Sequence, residues 1–122
     1  MDINKLLEKE TIKFRFEWTR RIESRRETEC NTLVITSKDF VRIRNSVNEY
    51  SNTNETHMRI ISLNSIISFD CTSSFDNRSA ENGGRKAISV DWDRHCENLE
   101  FSCDEEGERT MEMVVNALLS IL

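Results

Sequence analysis

The chain has no proline and only three glycines, so no imide bond interrupts a strand or helix. Gly83-Gly84 reads as part of a turn and not as the strand-to-helix junction of a phosphate-cradling loop. Histidine is limited to His57 and His95, and no Gly-x-Ser-x-Gly elbow occurs, so nucleophilic catalysis lacks its recognisable parts. No apolar run approaches the roughly 20 residues that a membrane span requires. Met1-Asp2-Ile3-Asn4-Lys5 shows no basic region leading into an apolar stretch, which makes the cytoplasm the expected address. Cys30, Cys71, Cys96 and Cys103 include no C-x-x-C pair and read as free thiols. Cys71 and Cys103 continue the phase of Ile67-Phe69 and Leu99-Phe101 and are expected inward, as small hydrophobes. Glycosylation triplets occur at Asn54-Glu55-Thr56 and Asn77-Arg78-Ser79, both expected on loops. His95 and Cys96 are adjacent and would point apart, and with His57 and Cys103 they lack zinc-site spacing. No metal or cofactor is expected.

What is present is alternation. At 122 residues, with 37% hydrophobic and 32% charged, the chain fits one domain over residues 1–122 with a thin core. From Leu33 to Phe101 apolar residues recur mostly at every second position, and from Met111 onward at every third or fourth. That change of period predicts half-buried antiparallel strands closed by one amphipathic helix, an α+β fold.

Asp2 to Glu10 reads as a short helix capped by Asp2, with Ile3, Leu6 and Leu7 as its apolar edge. Ile12, Phe14, Phe16 and Trp18 alternate with Lys13, Arg15, Glu17 and Thr19, the cleanest strand in the chain. Arg20 to Glu29 reads as a charged connection. Thr32–Thr36 and Phe40–Arg44 form a hairpin about Ser37-Lys38-Asp39. Ser46–Glu55, rich in asparagine, serine and threonine, is expected to be an exposed loop. Met58–Leu63 and Ile66–Cys71 are extended, with a bend or bulge at Asn64-Ser65 that shifts the inward phase. Ser73–Gly84 is the longest stretch without a structural signal and is expected to be mobile. Ile88–Trp92 and Leu99–Cys103 make the last hairpin. Asp104 caps the final helix, Glu105, Glu106 and Glu108 lie near its positive end, and Gly107 weakens its first turn. Its apolar stripe is Met111, Val114 or Val115, Leu118, and Ile121 or Leu122. The uncharged tail from Met113 reads as a packed end.

Three local patterns bear on the fold: the hairpin Thr32-Leu33-Val34-Ile35-Thr36-Ser37-Lys38-Asp39-Phe40-Val41-Arg42-Ile43, the segment Arg59-Ile60-Ile61-Ser62-Leu63-Asn64-Ser65-Ile66, and the terminal helix. Strands in hairpin order before a single helix resemble the pleckstrin-homology-like fold, a curved, partly open antiparallel barrel capped by a C-terminal helix. The resemblance covers Ile12 to Leu122, and the helix before the first strand is an addition to it. In lipid-binding members, inositol phosphates sit on a basic cluster at the first hairpin. The resemblance therefore implies an anion or lipid site at Lys13, Arg15, Arg20 and Arg21, extended by Arg25 and Arg26. Glu17, Glu23, Glu27 and Glu29 interleave with these cations, and a solvated, ion-paired face is the competing expectation.

The formal net charge is -5, and the C-terminal third carries Asp91, Asp93, Glu97, Glu100, Asp104, Glu105, Glu106, Glu108 and Glu112. This field opposes nucleic-acid binding and suits a basic protein partner. The leading expectation is a non-enzymatic adaptor or scaffold domain that contacts a partner protein, or a second copy of itself, through a sheet edge or helix groove. Association with phosphoinositide or anionic membrane through the Lys13–Arg26 segment is the second. A small acidic inhibitor or immunity-type protein covering a basic partner is the third.

Overall fold

The described residues of this computed structural model, 11–74 and 84–121, contain seven strands followed by one helix. The helix expected over Asp2–Glu10 lies outside the described residues, as do residues 75–83 of the expected mobile stretch. Strands β1 (Ile12–Ile22), β2 (Glu27–Thr36), β3 (Asp39–Asn48) and β4 (Thr53–Ser62) pair in chain order as one antiparallel sheet. Strands β5 (Ile66–Ser74), β6 (Arg85–Trp92) and β7 (His95–Phe101) form a second antiparallel sheet, and helix α1 (Glu105–Ile121) follows. Two sheets and one C-terminal helix make the chain α+β. Among the described residues, no helix is long and apolar enough to cross a membrane.

The two hydrophobic periods meet in one cluster. Trp18, Leu33, Ile35, Phe40 and Ile61 come from the first sheet and Ile88, Val90, Leu99 and Phe101 from the second, while Met111, Val114, Ala117 and Leu118 come from α1. Trp18 stacks on Phe101 with ring centroids 4.8 Å apart, and its indole N–H donates to the Glu100 carbonyl at 2.9 Å. One side chain thus ties β1 to β7 through both packing and a hydrogen bond. Truncating a buried aromatic of this kind costs about 3–5 kcal/mol. Val34 and Val41, with partly buried Met58, form a separate small cluster.

The strands run further than their apolar residues. The expected connection Arg20–Glu29 is mostly strand, and the turn is only the 3-10 segment Glu23–Arg25 with Arg26 left-handed at φ 47°. Arg20 and Arg21 stand opposite Glu29 and Thr28 and bond to them at 2.7 and 3.0 Å, so charged ends extend the ladder. The expected loop Ser46–Glu55 shrinks to residues 49–52 between β3 and β4. There the Asn48 carboxamide oxygen accepts the backbone N–H groups of Tyr50 and Ser51, and Asn45 donates to Asn54 and Thr56 across the strands. A polar side chain that bonds across a ladder holds it as an apolar pair would. Asn54 therefore lies in β4 and not on a loop; Asn77 lies outside the described residues.

The bend expected at Asn64-Ser65 is a 3-10 turn, Leu63–Ser65, and a register irregularity follows between Ile66 and Ser68. Together they turn Ile67 outward, leaving it 73% exposed. The inward expectation for Cys71 and Cys103 does not hold, since all four cysteines are exposed free thiols. Cys103 falls beyond the end of β7, where its thiol donates to the Gly84 carbonyl at 3.0 Å. Asp104 caps α1 as expected, its carboxylate accepting the Gly107 N–H at 2.8 Å. Gly107 itself is buried, and a Cβ there would sit 1.7 Å from the Ser102 carbonyl oxygen. Glycine is what lets the helix start approach the end of β7 this closely.

Candidate functional site

Three surfaces bear on function: the basic first hairpin, a charged cleft beneath it, and an apolar groove between β5 and α1. On β1, side chains alternate across the sheet, and Lys13 to Arg21 spans eight residues, about 26 Å. That length exceeds the reach of one phosphorylated headgroup. Arg15 pairs with Glu17 at 3.0 Å, and Arg20 with Glu29 at 2.7 Å and Glu100 at 3.5 Å. Arg21 pairs with Glu23 at 3.3 Å and Glu49 at 2.8 Å. The hydrogen bond from Arg21, reinforced by its charge, holds the Glu49 carboxyl below the usual carboxylate range. Arg26 lies over the Tyr50 ring, 5.0 Å from its centroid. Lys13 and Arg25 are exposed, at opposite ends of this segment. The six cations do not converge, and three of them are held by carboxylates of their own chain.

The inner side of this hairpin borders a cleft of about 480 Å³ whose lining includes Arg20, Arg25 and Arg44 against Glu27, Glu29, Glu55 and Glu100. Three cations facing four anions give it no net attraction for phosphate. Deeper between the sheets, the Arg42 side chain is 2% exposed and donates to Glu97 at 2.6 Å, to Asn31 at 3.1 Å, and to the Asn98 carbonyl. Arg59 approaches Glu97 from the rim at 3.6 Å and lies over Trp92, 5.4 Å from its centroid. A buried guanidinium shared by β2, β3 and β7 locks the relative placement of the two sheets, because separating them would strand its charge. The sequence reading missed this network. Its signal was weak, because both Phe40 on one face and Val41 and Ile43 on the other satisfy an apolar alternation.

The third surface is of a different kind. Strand β5 is an edge of its sheet, with β6 on one side and no described strand on the other. Beside it lies a hollow of about 200 Å³ lined by Ile66, Ile67, Ser68, Phe69, Cys71, Val115, Leu118 and Leu119. Ile67 is 73% and Leu119 64% exposed, the most exposed aliphatic side chains among the described residues. A separate hollow of about 220 Å³, nearer the start of α1, is lined by Glu108, Met111, Glu112, Val115 and Asn116 and shares Val115 with the first. Isolated exposed apolar residues are ordinary; apolar side chains from a strand edge and a helix sharing one concavity make this the candidate binding surface. Compared with known proteins, the chain matches no family model, no curated protein and no solved structure.

Proposed function

We propose that this chain is a non-enzymatic protein-interaction module of the pleckstrin-homology-like kind, which captures an extended partner segment along the outer edge of β5 and over the groove against α1. The observation that carries this reading is the juxtaposition of an edge strand with an apolar concavity lined by Ile67, Phe69, Val115 and Leu119. An edge supplies backbone donors and acceptors in register with any extended chain, and the concavity supplies sites for its alternate side chains. The order of four strands, three strands and a C-terminal helix supports the fold assignment. The pairing of Arg15, Arg20 and Arg21 with glutamates argues against a phosphoinositide site at the first hairpin.

Selection from a displayed random-peptide library tests the reading. The wild-type chain is expected to enrich extended peptides with alternating apolar residues, and the folded variants Ile67→Glu and Leu119→Glu to lose them. Enriched peptides that bind both variants undiminished would refute the assignment of the site, and no enrichment at all would refute the function. Vesicle flotation with phosphoinositide-containing liposomes addresses the lipid reading: flotation abolished by Arg20→Glu/Arg21→Glu would favour the membrane instead.

A further inference from the structure

The first sheet carries apolar side chains on both of its faces, and the second sheet and α1 account for one face only. Leu33, Ile35 and Phe40 enter the main core. Their neighbours Val34 and Val41 alternate to the other face, where they stand opposite each other and form a cluster of their own with Met58. The same cross-strand row continues to Arg15 on β1 and to Ile60 on β4. On an outward sheet face, ladder neighbours stand about 4.8 Å to the side of a residue and leave its tip open. Ile60 shows that condition, being 42% exposed, whereas Val34 is 0% and Val41 1% exposed. Arg15, opposite Val34, does not fold over it: its guanidinium turns along β1 to Glu17, and its side chain is 49% exposed. The two valines are therefore covered from above by something other than the two sheets and α1.

We infer that the outer face of the first sheet seats the chain's own N-terminal segment, residues 1–10, with Ile3, Leu6 and Leu7 packed over Val34 and Val41. This does not rest on the peptide-capture reading above. The segment starts from the right place: the Thr11 carbonyl accepts the Ser37 N–H at 3.0 Å, and Ile12 stands opposite Thr36, about 7 Å along β2 from Val34. It also has the right size. Ile3, Leu6 and Leu7 recur at helical spacing, and a helix over residues 2–10 spans about 13.5 Å, enough to cross three strands spaced about 4.8 Å apart. So short a helix is marginal in water by itself, and its apolar stripe needs a surface as the valines need a cover. Residues 75–83 start from the wrong place. They are anchored beside Ser74 and Arg85, and Arg85 meets Glu100, which also meets Arg20. Arg20 is about 17 Å along β1 from Arg15, while nine residues held at both ends reach out and back no more than about 16 Å. The seat lies across the first sheet from the second sheet and α1, so an occupied seat leaves the groove beside β5 open.

Methyl NMR on the full chain tests this. The wild type is expected to show nuclear Overhauser contacts from the Ile3, Leu6 and Leu7 methyls to those of Val34 and Val41. A soluble nitroxide should broaden the two valines no more than Leu33 and Ile88, which are fully buried in the main core. In Leu6→Asp/Leu7→Asp the contacts should vanish and the broadening of Val34 and Val41 should rise several-fold, with Leu33 and Ile88 unchanged as the control that the fold persists. Absence of the contacts in the wild type, or valines that stay shielded in the folded variant, overturns the inference. A mixture of differently labelled chains tests the other occupant: contacts found only between labels would give the face to a second copy and overturn the seat within one chain. Were the double variant to unfold, the wild-type contacts decide by themselves.

Discussion

Replacing Gly107 by alanine inverts an ordinary expectation. At an exposed interior helix position that change stabilises by about 1 kcal/mol, because alanine loses less backbone entropy. Here a Cβ would lie 1.7 Å from the Ser102 carbonyl oxygen and 2.6 Å from its carbonyl carbon, both backbone atoms that cannot swing aside. The first turn of α1 would have to retreat by more than about 1 Å to reach ordinary contact. The Asp104 cap, bonded to the Gly107 N–H at 2.8 Å, would be strained with it. Overpacking of this kind costs about 1–3 kcal/mol and loss of a cap about 1. The net expectation, after the propensity gain, is a destabilisation of about 1–3 kcal/mol. Urea unfolding followed by tryptophan fluorescence reports it through Trp18, with Asn116→Ala, at an exposed position of α1, as the control for propensity. Asn116→Ala should be neutral or slightly stabilising. A Gly107→Ala protein as stable as wild type would refute the close approach of α1 to the end of β7.

Three further outcomes are expected. Arg42→Met and Glu97→Met should each cost about 3–5 kcal/mol, the second by stranding the buried Arg42 and the first by leaving Glu97 with only Arg59 at the rim, while the double variant should cost clearly less than their sum; additive losses in denaturant midpoints would remove the pairing. Asp93 and Arg94 both hold positive φ, 34° and 66°, in the two-residue turn between β6 and β7. Asp93→Asn/Arg94→Gly fits that geometry better and should raise the melting temperature, and an unchanged or lower value would contradict the turn. The Cys96 thiol is pushed above its usual range by desolvation of the thiolate and by a hydrogen bond and charge from Asp91. Its alkylation at neutral pH should therefore be slower than that of a cysteine in an unstructured peptide and should accelerate as pH rises, measured by mass spectrometry of partially labelled protein; a rate equal to the peptide's would count against that environment.

The class of fold was legible because period is a one-dimensional signal. Phe14, Phe16 and Trp18, then Ile88 and Val90, then Met111, Val114 and Leu118 each announce their geometry and lie where it places them. Strand ends were not legible. Arg20-Arg21 and Asn45-Ser46 carry no apolar pattern, and the partners that extend them, Glu29 and Thr56, come from neighbouring strands. Arg42 was hidden by a strand that is apolar on both faces, and Gly107 by a contact with Ser102 that no local rule encodes. The basic residues of the first hairpin were visible as a list, but not the carboxylates that meet them, because Glu49 and Glu100 arrive from distant parts of the chain. The groove was legible only as a general property of an edge; its lining depends on the irregularity between Ile66 and Ser68 that turns Ile67 outward.

The turn Leu63–Ser65 joins the last strand of one sheet to the first strand of the other, and every described ladder pairs strands on the same side of it. The two halves of the molecule are therefore sewn largely by side chains, among them the Trp18 indole, the Arg42 guanidinium, the Arg20–Glu100 and Arg59–Glu97 ion pairs and the apolar stripe of α1. A backbone nick at Asn64 would sever no hydrogen-bonded ladder, and the two pieces would retain matching surfaces by which to find each other again. A partner that grips β5 and α1 holds only the second piece directly, and its effect on the first passes through side-chain contacts and not through a shared ladder.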